Sequence, residues 1–219
     1  MKGFQQRTER TGKFFVVKHN CICEESSKER PSYEPVEVMN PQTKEVSIKF
    51  IKRYDSLEAM ITKIEWRDTE KQYDQRYMSW KIYLDADGET GVLELPFNSR
   101  VGSRFMKLAE NIDYTKPVEF RAWRDNEDKT AFIVKQDDQN IPQKYTRANP
   151  GDCPEPIEKF GGKLNFDDQM EYLHGTMMTV VIPKVMAAQE IIKGQSAHDE
   201  GTGEPGFDEN QPADDGEEF

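Results

Sequence analysis

Residues 77–84 read YMSWKIYL, an alternation in which Met78, Trp80, Ile82 and Leu84 form an apolar set and Tyr77, Ser79, Lys81 and Tyr83 an aromatic, polar and basic one. Successive side chains of a β-strand point to opposite sides of a sheet, so the first set is expected inside and the second outside. Two tyrosines flanking a lysine suit single-stranded nucleic acid: bases stack on rings for roughly 1–3 kcal/mol each, while the cation meets phosphate. Residues 118–124 repeat the device, with Val118, Phe120 and Ala122 as core and Glu119, Arg121 and Trp123 outside. An outward tryptophan suggests a contact surface, because its large apolar face is otherwise buried. On residues 57–67, Met60, Ile64 and Trp66 are expected inward, leaving Lys63 and Arg67 outward. Arg67 leads into an expected loop, 68–75, that carries Lys71 and Tyr73, and Arg76 follows it. Together with Lys135, these outward residues are expected to share one sheet face as a nucleic-acid-binding set.

Other chemistries find little to work with. There is no nucleophile elbow, no phosphate-binding Gly-Lys loop and no metalloprotease helix. His19, His174 and His198 are scattered, and the abundant carboxylates read as solvated surface. His19, Cys21, Cys23 and Cys153 have the ligand chemistry of a zinc site, but alternate residues on one strand converge poorly on a metal. Asp85, Asp87 and Gly88 read as a β-turn and not a calcium loop, since Pro96 stands twelfth from Asp85 where a bidentate Glu belongs. No catalytic residue, metal or cofactor is expected, and the chain is expected not to be an enzyme.

The elements that must position the outward set read as β structure with minor helices. Strands are expected over 57–67, 77–84, 92–97, 117–124 and 130–136, with Asp87-Gly88 as a hairpin signal. Between the third and fourth, Val101, Phe105, Leu108 and Ile112 recur with the period of one helical face. The order β-β-β-α-β-β is that of the OB-fold, a five-stranded barrel. Residues 1–56 are expected as an N-terminal β extension, with a hairpin turning at 40–43 and another strand near 13–23. Residues 57–142 form the expected OB-fold core, and 143–193 a loop and helical segment packing on it. Within that segment Asn165 is the expected helix cap, 176–182 reads equally as strand or helix, and Pro183 interrupts it.

Of 219 residues, 41 are Asp or Glu and 30 Lys or Arg, a formal charge of −11 that argues against nucleic acid if taken as an average. The average misleads. Residues 194–219 hold nine acids and no Lys or Arg, so 32 acids face 30 bases in the rest, a net charge of only −2. This Gly- and acid-rich tail buries too little apolar surface to offset the entropy of ordering and is expected to be disordered. Yet it ends in an aromatic residue, Phe219, behind Asp214, Asp215, Glu217 and Glu218. No apolar run suggests a membrane span or secretory signal, and three cysteines suit a reducing compartment, so a cytoplasmic location is expected.

A barrel with outward aromatic and basic residues, followed by an acidic tail ending Asp-Asp-Gly-Glu-Glu-Phe, resembles the single-stranded DNA-binding proteins of bacterial and phage replication. Glu217 and Glu218 stand where the commonest bacterial ending has Ile-Pro, which brings the tail closer to the type of T7-like phages. The resemblance covers topology over about 57–136 and motif over 214–219. It implies sequence-independent binding of single-stranded DNA in replication, recombination or repair, within a bacterial or phage-infected cytoplasm. It also implies a tail that competes with DNA and recruits a polymerase, primase or helicase through Asp214, Asp215, Glu217, Glu218 and Phe219. Self-association is compatible with this reading. The alternatives from the residues themselves are a DNA-mimicking interaction or inhibitor module, and an RNA-binding OB-fold protein.

Overall fold

The computed structural model describes residues 12–40, 43–72, 75–159 and 161–199. The fold is predominantly β. Among the described residues ten strands join one sheet: β1 (Lys13–Lys18), β2 (Cys21–Ser26), β3 (Glu34–Met39), β4 (Val46–Tyr54), β5 (Ser56–Gln72), β6 (Gln75–Ala86), β7 (Glu89–Pro96), β8 (Val118–Arg124), β9 (Thr130–Gln136) and β10 (Gln139–Asn140). Their order across the sheet is β10-β9-β8-β5-β6-β7-β1-β2-β4-β3. Helix α1 (Arg100–Leu108) separates β7 from β8. A small hairpin, β11 (Ile157–Lys159) and β12 (Lys163–Asn165), precedes α2 (Asp167–Thr176) and α3 (Ile182–Asp199).

The β-β-β-α-β-β order expected for residues 57–136 is present in β5-β6-β7-α1-β8-β9, but no five-stranded barrel closes among the described residues. The edge of β7 that a closing strand would take is held by β1, which pairs with it in parallel from Lys13↔Gly91 to Val16↔Glu94. The N-terminal strands therefore fill the seam. Asn20, in the β1–β2 turn, meets the start of β9, where Thr130 Oγ1 donates to Asn20 Oδ1 at 2.8 Å. The single strand expected near residues 13–23 is thus a hairpin, and His19 and Asn20, both at positive φ (53° and 58°), make its two-residue turn. Asp87 and Gly88 do the same between β6 and β7, at φ 52° and 86°, with Gly88 N donating to Asp85 Oδ1 at 2.8 Å.

β5 is long enough to serve two neighbours. Its first residues pair with β8, from Ser56↔Arg121 to Ala59↔Val118, and the remainder pairs with β6. A bulge at Thr62, between the paired residues Ile61 and Lys63, inverts the alternation. Ala59 and Ile61 are buried before it, Ile64 after it. Met60 therefore belongs to the face opposite Ala59 and Ile61, which corrects the inward placement expected from an unbroken alternation. Thr62 Oγ1 donates to Tyr83 O at 3.3 Å, and Gln189 Nε2 of α3 donates to Ile61 O at 3.1 Å. The bulge is thus held from the neighbouring strand and from α3.

The core lies between the inner sheet face, α1 and the C-terminal helices. Trp80, Ile82, Leu93 and Leu95 from the sheet, Phe105 and Met106 from α1, Phe120 and Phe132 from β8 and β9, and Leu173 and Val181 from the C-terminal helical segment are almost fully buried together. Trp80 Nε1 donates to Met106 Sδ at 3.2 Å, which gives the buried indole a partner. Gly102 makes the approach of α1 possible: a Cβ there would lie 2.2 Å from Pro96 O. The segment 176–182 is helical. Residues Met177–Val181 form a π-helical turn, closed by Ile182 N donating to Met177 O, immediately before Pro183. Proline has no N–H for the carbonyl four residues back and crowds it, and the wider turn absorbs that conflict.

Candidate nucleic-acid interface

The outward face of β6 carries Tyr77, Ser79, Lys81 and Tyr83, with Trp80, Ile82 and Leu84 buried behind it. Register sets Arg67 of β5 opposite Ser79, Glu65 opposite Lys81 and Lys63 opposite Tyr83, while β7 places Glu94 opposite Lys81. Lys63, Arg67, Lys81, Tyr77 and Tyr83 are thus brought together on one surface. Tyr77 is 43% exposed, open enough for a base to stack. Desolvation raises its hydroxyl pKa, with Glu94 adding to the shift.

Acids within this face neutralise most of its cations. Lys63 Nζ pairs with Glu65 and also lies over the Tyr83 ring, 5.4 Å from its centre. Tyr83 OH donates to Glu65 Oε2 at 2.5 Å. That bond pushes the phenol up to about 12, while Lys63, and then Tyr83, hold the Glu65 carboxyl below its usual range. Arg67 Nη1 lies 3.4 Å from Glu94 Oε1, which also accepts from Ser79 Oγ at 2.7 Å. Ser79 and Glu94 are nearly fully buried although they point away from the main core. Beyond β7, on the N-terminal strands, Val16, Cys21, Cys23 and Ile51 close into a second, smaller apolar cluster.

The remaining expected residues lie elsewhere. Trp123 is 43% exposed on β8, as its alternation requires, with Arg121 beside it. Arg121 pairs with Ser56, whereas Lys63 stands seven residues farther along β5, about 20 Å at the rise of a strand. The expected single face is therefore two patches. Arg121 binds Glu119 at 2.6 Å, and the hollow holding Arg121 and Lys135 is also lined by Glu58, Glu119, Asp137 and Asp138. Residues 68–72 continue β5, so no loop begins at Asp68. Tyr73, the side chains of Lys71 and Arg76, and the tail residues Asp214, Asp215, Glu217, Glu218 and Phe219 lie outside the described residues.

A third surface has no counterpart among the sequence candidates. On α1, Arg100, Arg104 and Lys107 recur at spacings of four and three, across the helix from the buried Gly102 and Met106. Arg100 is paired with Asp125 at 3.0 Å, but Arg104 and Lys107 form no ion pair among the described residues, nor does Arg147. These three line two adjoining hollows of about 340 and 680 Å³. The opposite wall is Leu164 and Phe166, 55% and 46% exposed. The basic spacing was visible in the sequence; the facing wall, which comes from β12 and the start of α2, was not.

Among the described residues no group of three or more His, Cys, Asp or Glu side chains is placed to hold a metal, and no helix is long and apolar enough to cross a membrane. Cys153 lies in the main core, apart from Cys21 and Cys23. Comparison of the chain with protein-family models, with curated proteins and with solved structures finds no match.

Proposed function

We propose that the chain is a non-enzymatic protein that binds single-stranded DNA without sequence preference through an OB-type β core, in replication, recombination or repair in the cytoplasm. The observation that carries this reading is the pair of aromatic side chains, Tyr77 and Trp123, each 43% exposed on an outward strand face with cations beside it. Large rings left open to water are suited to stacking, and stacking is indifferent to base identity. Lys63, Arg67 and Lys81 supply the phosphate contacts around Tyr77 and Tyr83, and Arg121 those around Trp123.

The ion pairs Lys63–Glu65 and Arg67–Glu94 place a condition on the reading. Phosphate must displace a carboxylate from each cation, so affinity is moderate and sensitive to salt. The acidic tail acts in the same sense. Tethered to the body, it presents carboxylates to these cations at a high effective concentration, and strand binding releases it to recruit a polymerase, primase or helicase. The same self-neutralised face also favours a second reading, an interaction module whose acidic tail imitates DNA toward another protein. Retention of labelled oligo-dT separates them. Binding at low salt that weakens steadily as salt rises supports the first; no retention at any salt leaves the mimic.

A further inference from the structure

We propose that the cleft between α1 and the β12–α2 junction is a second contact region for the same nucleic-acid strand, with Arg104, Lys107 and Arg147 on its phosphates and Phe166 against a base. The inference rests on the nucleic-acid reading above. It starts from a contrast in charge. On the sheet face Lys63 and Arg67 are matched by Glu65 and Glu94, and on β8 Arg121 is matched by Glu119. Arg104, Lys107 and Arg147 have no carboxylate within ion-pair distance among the described residues, although Glu155 lines the hollow of Lys107 and Arg147, and Asp167 that of Arg104 and Lys107. An anion entering here displaces no carboxylate of the described residues.

The cleft also has the two-sided chemistry that a single strand presents. One wall is cationic. The other carries Leu164 and Phe166, alternate residues on one side of the chain, both largely exposed. A single strand carries phosphates along one edge and unpaired π-faces along the other, and such proteins combine cations for the backbone with rings for the bases. The rigidity of the cationic wall follows from its foundation. The inner face of α1 is buried through Val101, Phe105 and Leu108, its start is capped by Ser99 Oγ accepting from Gly102 N at 2.9 Å, and Lys144 N donates to Lys107 O at 2.7 Å.

The test is the salt dependence of fluorescein-labelled oligo-dT binding to the full chain, wild type against the triple variant Arg104→Ala, Lys107→Ala, Arg147→Ala. Three lost phosphate contacts, at about 0.7 each for single strands, should make the slope of log K against log salt shallower by about 2. Phe166→Ala should weaken binding about five-fold or more at fixed salt. A control variant removing Lys13, Lys129 and Lys193, each in an exposed ion pair, makes the same change in net charge and should leave the slope unchanged. Thermal melting establishes that each variant is folded. If wild type binds and the triple variant keeps its affinity and slope, this cleft is not a contact region, whereas the sheet-face reading stands. If the triple variant keeps its DNA affinity but loses binding to a polyglutamate probe, the cleft serves an acidic polypeptide and the proposal is overturned. If wild type binds no oligo-dT, both readings fall.

Discussion

His174 sits at the end of α2 with its ring 4.6 Å from that of Trp66 and 5.5 Å from that of Trp80, and its buried Nε2 has no hydrogen-bond partner among the described residues. Burial lowers its pKa below the usual histidine range, against a smaller opposing effect of Glu171. The unfolded chain therefore takes up this proton before the folded one. Stability should be unaffected by His174 above about pH 6.5 and should fall as pH drops below it, by at most about 1.4 kcal/mol per pH unit. Thermal melts across mild acid should show this loss, and His174→Phe should remove His174's part of it while keeping the aromatic contacts. At Trp80, which is fully buried, substitution by Ala should cost about 3–5 kcal/mol in denaturant unfolding. Tyr77→Ala and Trp123→Ala, on side chains 43% exposed, should cost about 1–2 kcal/mol of stability, clearly less than Trp80→Ala, while weakening DNA binding. Inward and outward residues on β6 and β8 were legible because a strand alternates with a period of two. Met60 was misplaced because the bulge at Thr62 adds one residue to one strand only, a matter of pairing that no local pattern records.

At the scale of elements, α1 links core and surface. Gly102 lets it seat on Pro96, so Gly102→Ala should destabilise the fold by about 1–3 kcal/mol, a loss readable in urea unfolding, and should loosen the cationic wall of the cleft with it. The helix was legible from Val101, Phe105 and Leu108, whereas Ile112, expected on the same face, is buried in extended conformation after a 3-10 turn at Ala109–Asn111; the outer stripe of Arg100, Arg104 and Lys107 stands in the same stretch of sequence. What opposes that stripe was not, since Leu164 and Phe166 arrive from more than fifty residues downstream. The turn at His19-Asn20 carries no sequence signal, because neither residue is the glycine that usually marks positive φ. The π-turn before Pro183 explains why 176–182 read equally as strand or helix. Its β-branched and apolar residues favour strands, and the packing of Met177 and Val181 into the core decides for helix.

For the whole molecule, the order of strands was legible and their closure was not. Parallel pairing of β1 with β7 joins residues about eighty positions apart, and only the assembled sheet reveals that the N-terminal hairpin occupies the seam. Charge works at this scale too. Residues beyond the end of α3 hold eight acids, and removing 200–219 should tighten oligo-dT binding, most at low salt where the tail competes best. Equal or weaker binding after that deletion would remove competition from the mechanism. The central claim, that single-stranded DNA lies across the outward sheet faces, is tested most directly by tryptophan fluorescence. Trp80 is fully buried and Trp66 packs against Trp80, Phe97 and His174, so Trp123 is the indole open to a base. Titrating the full chain with oligo-dT at low salt should quench fluorescence saturably, reverse on adding salt, and lose most of its amplitude in Trp123→Phe. A chain that shows no quenching at low salt, or quenches equally without Trp123, contradicts it.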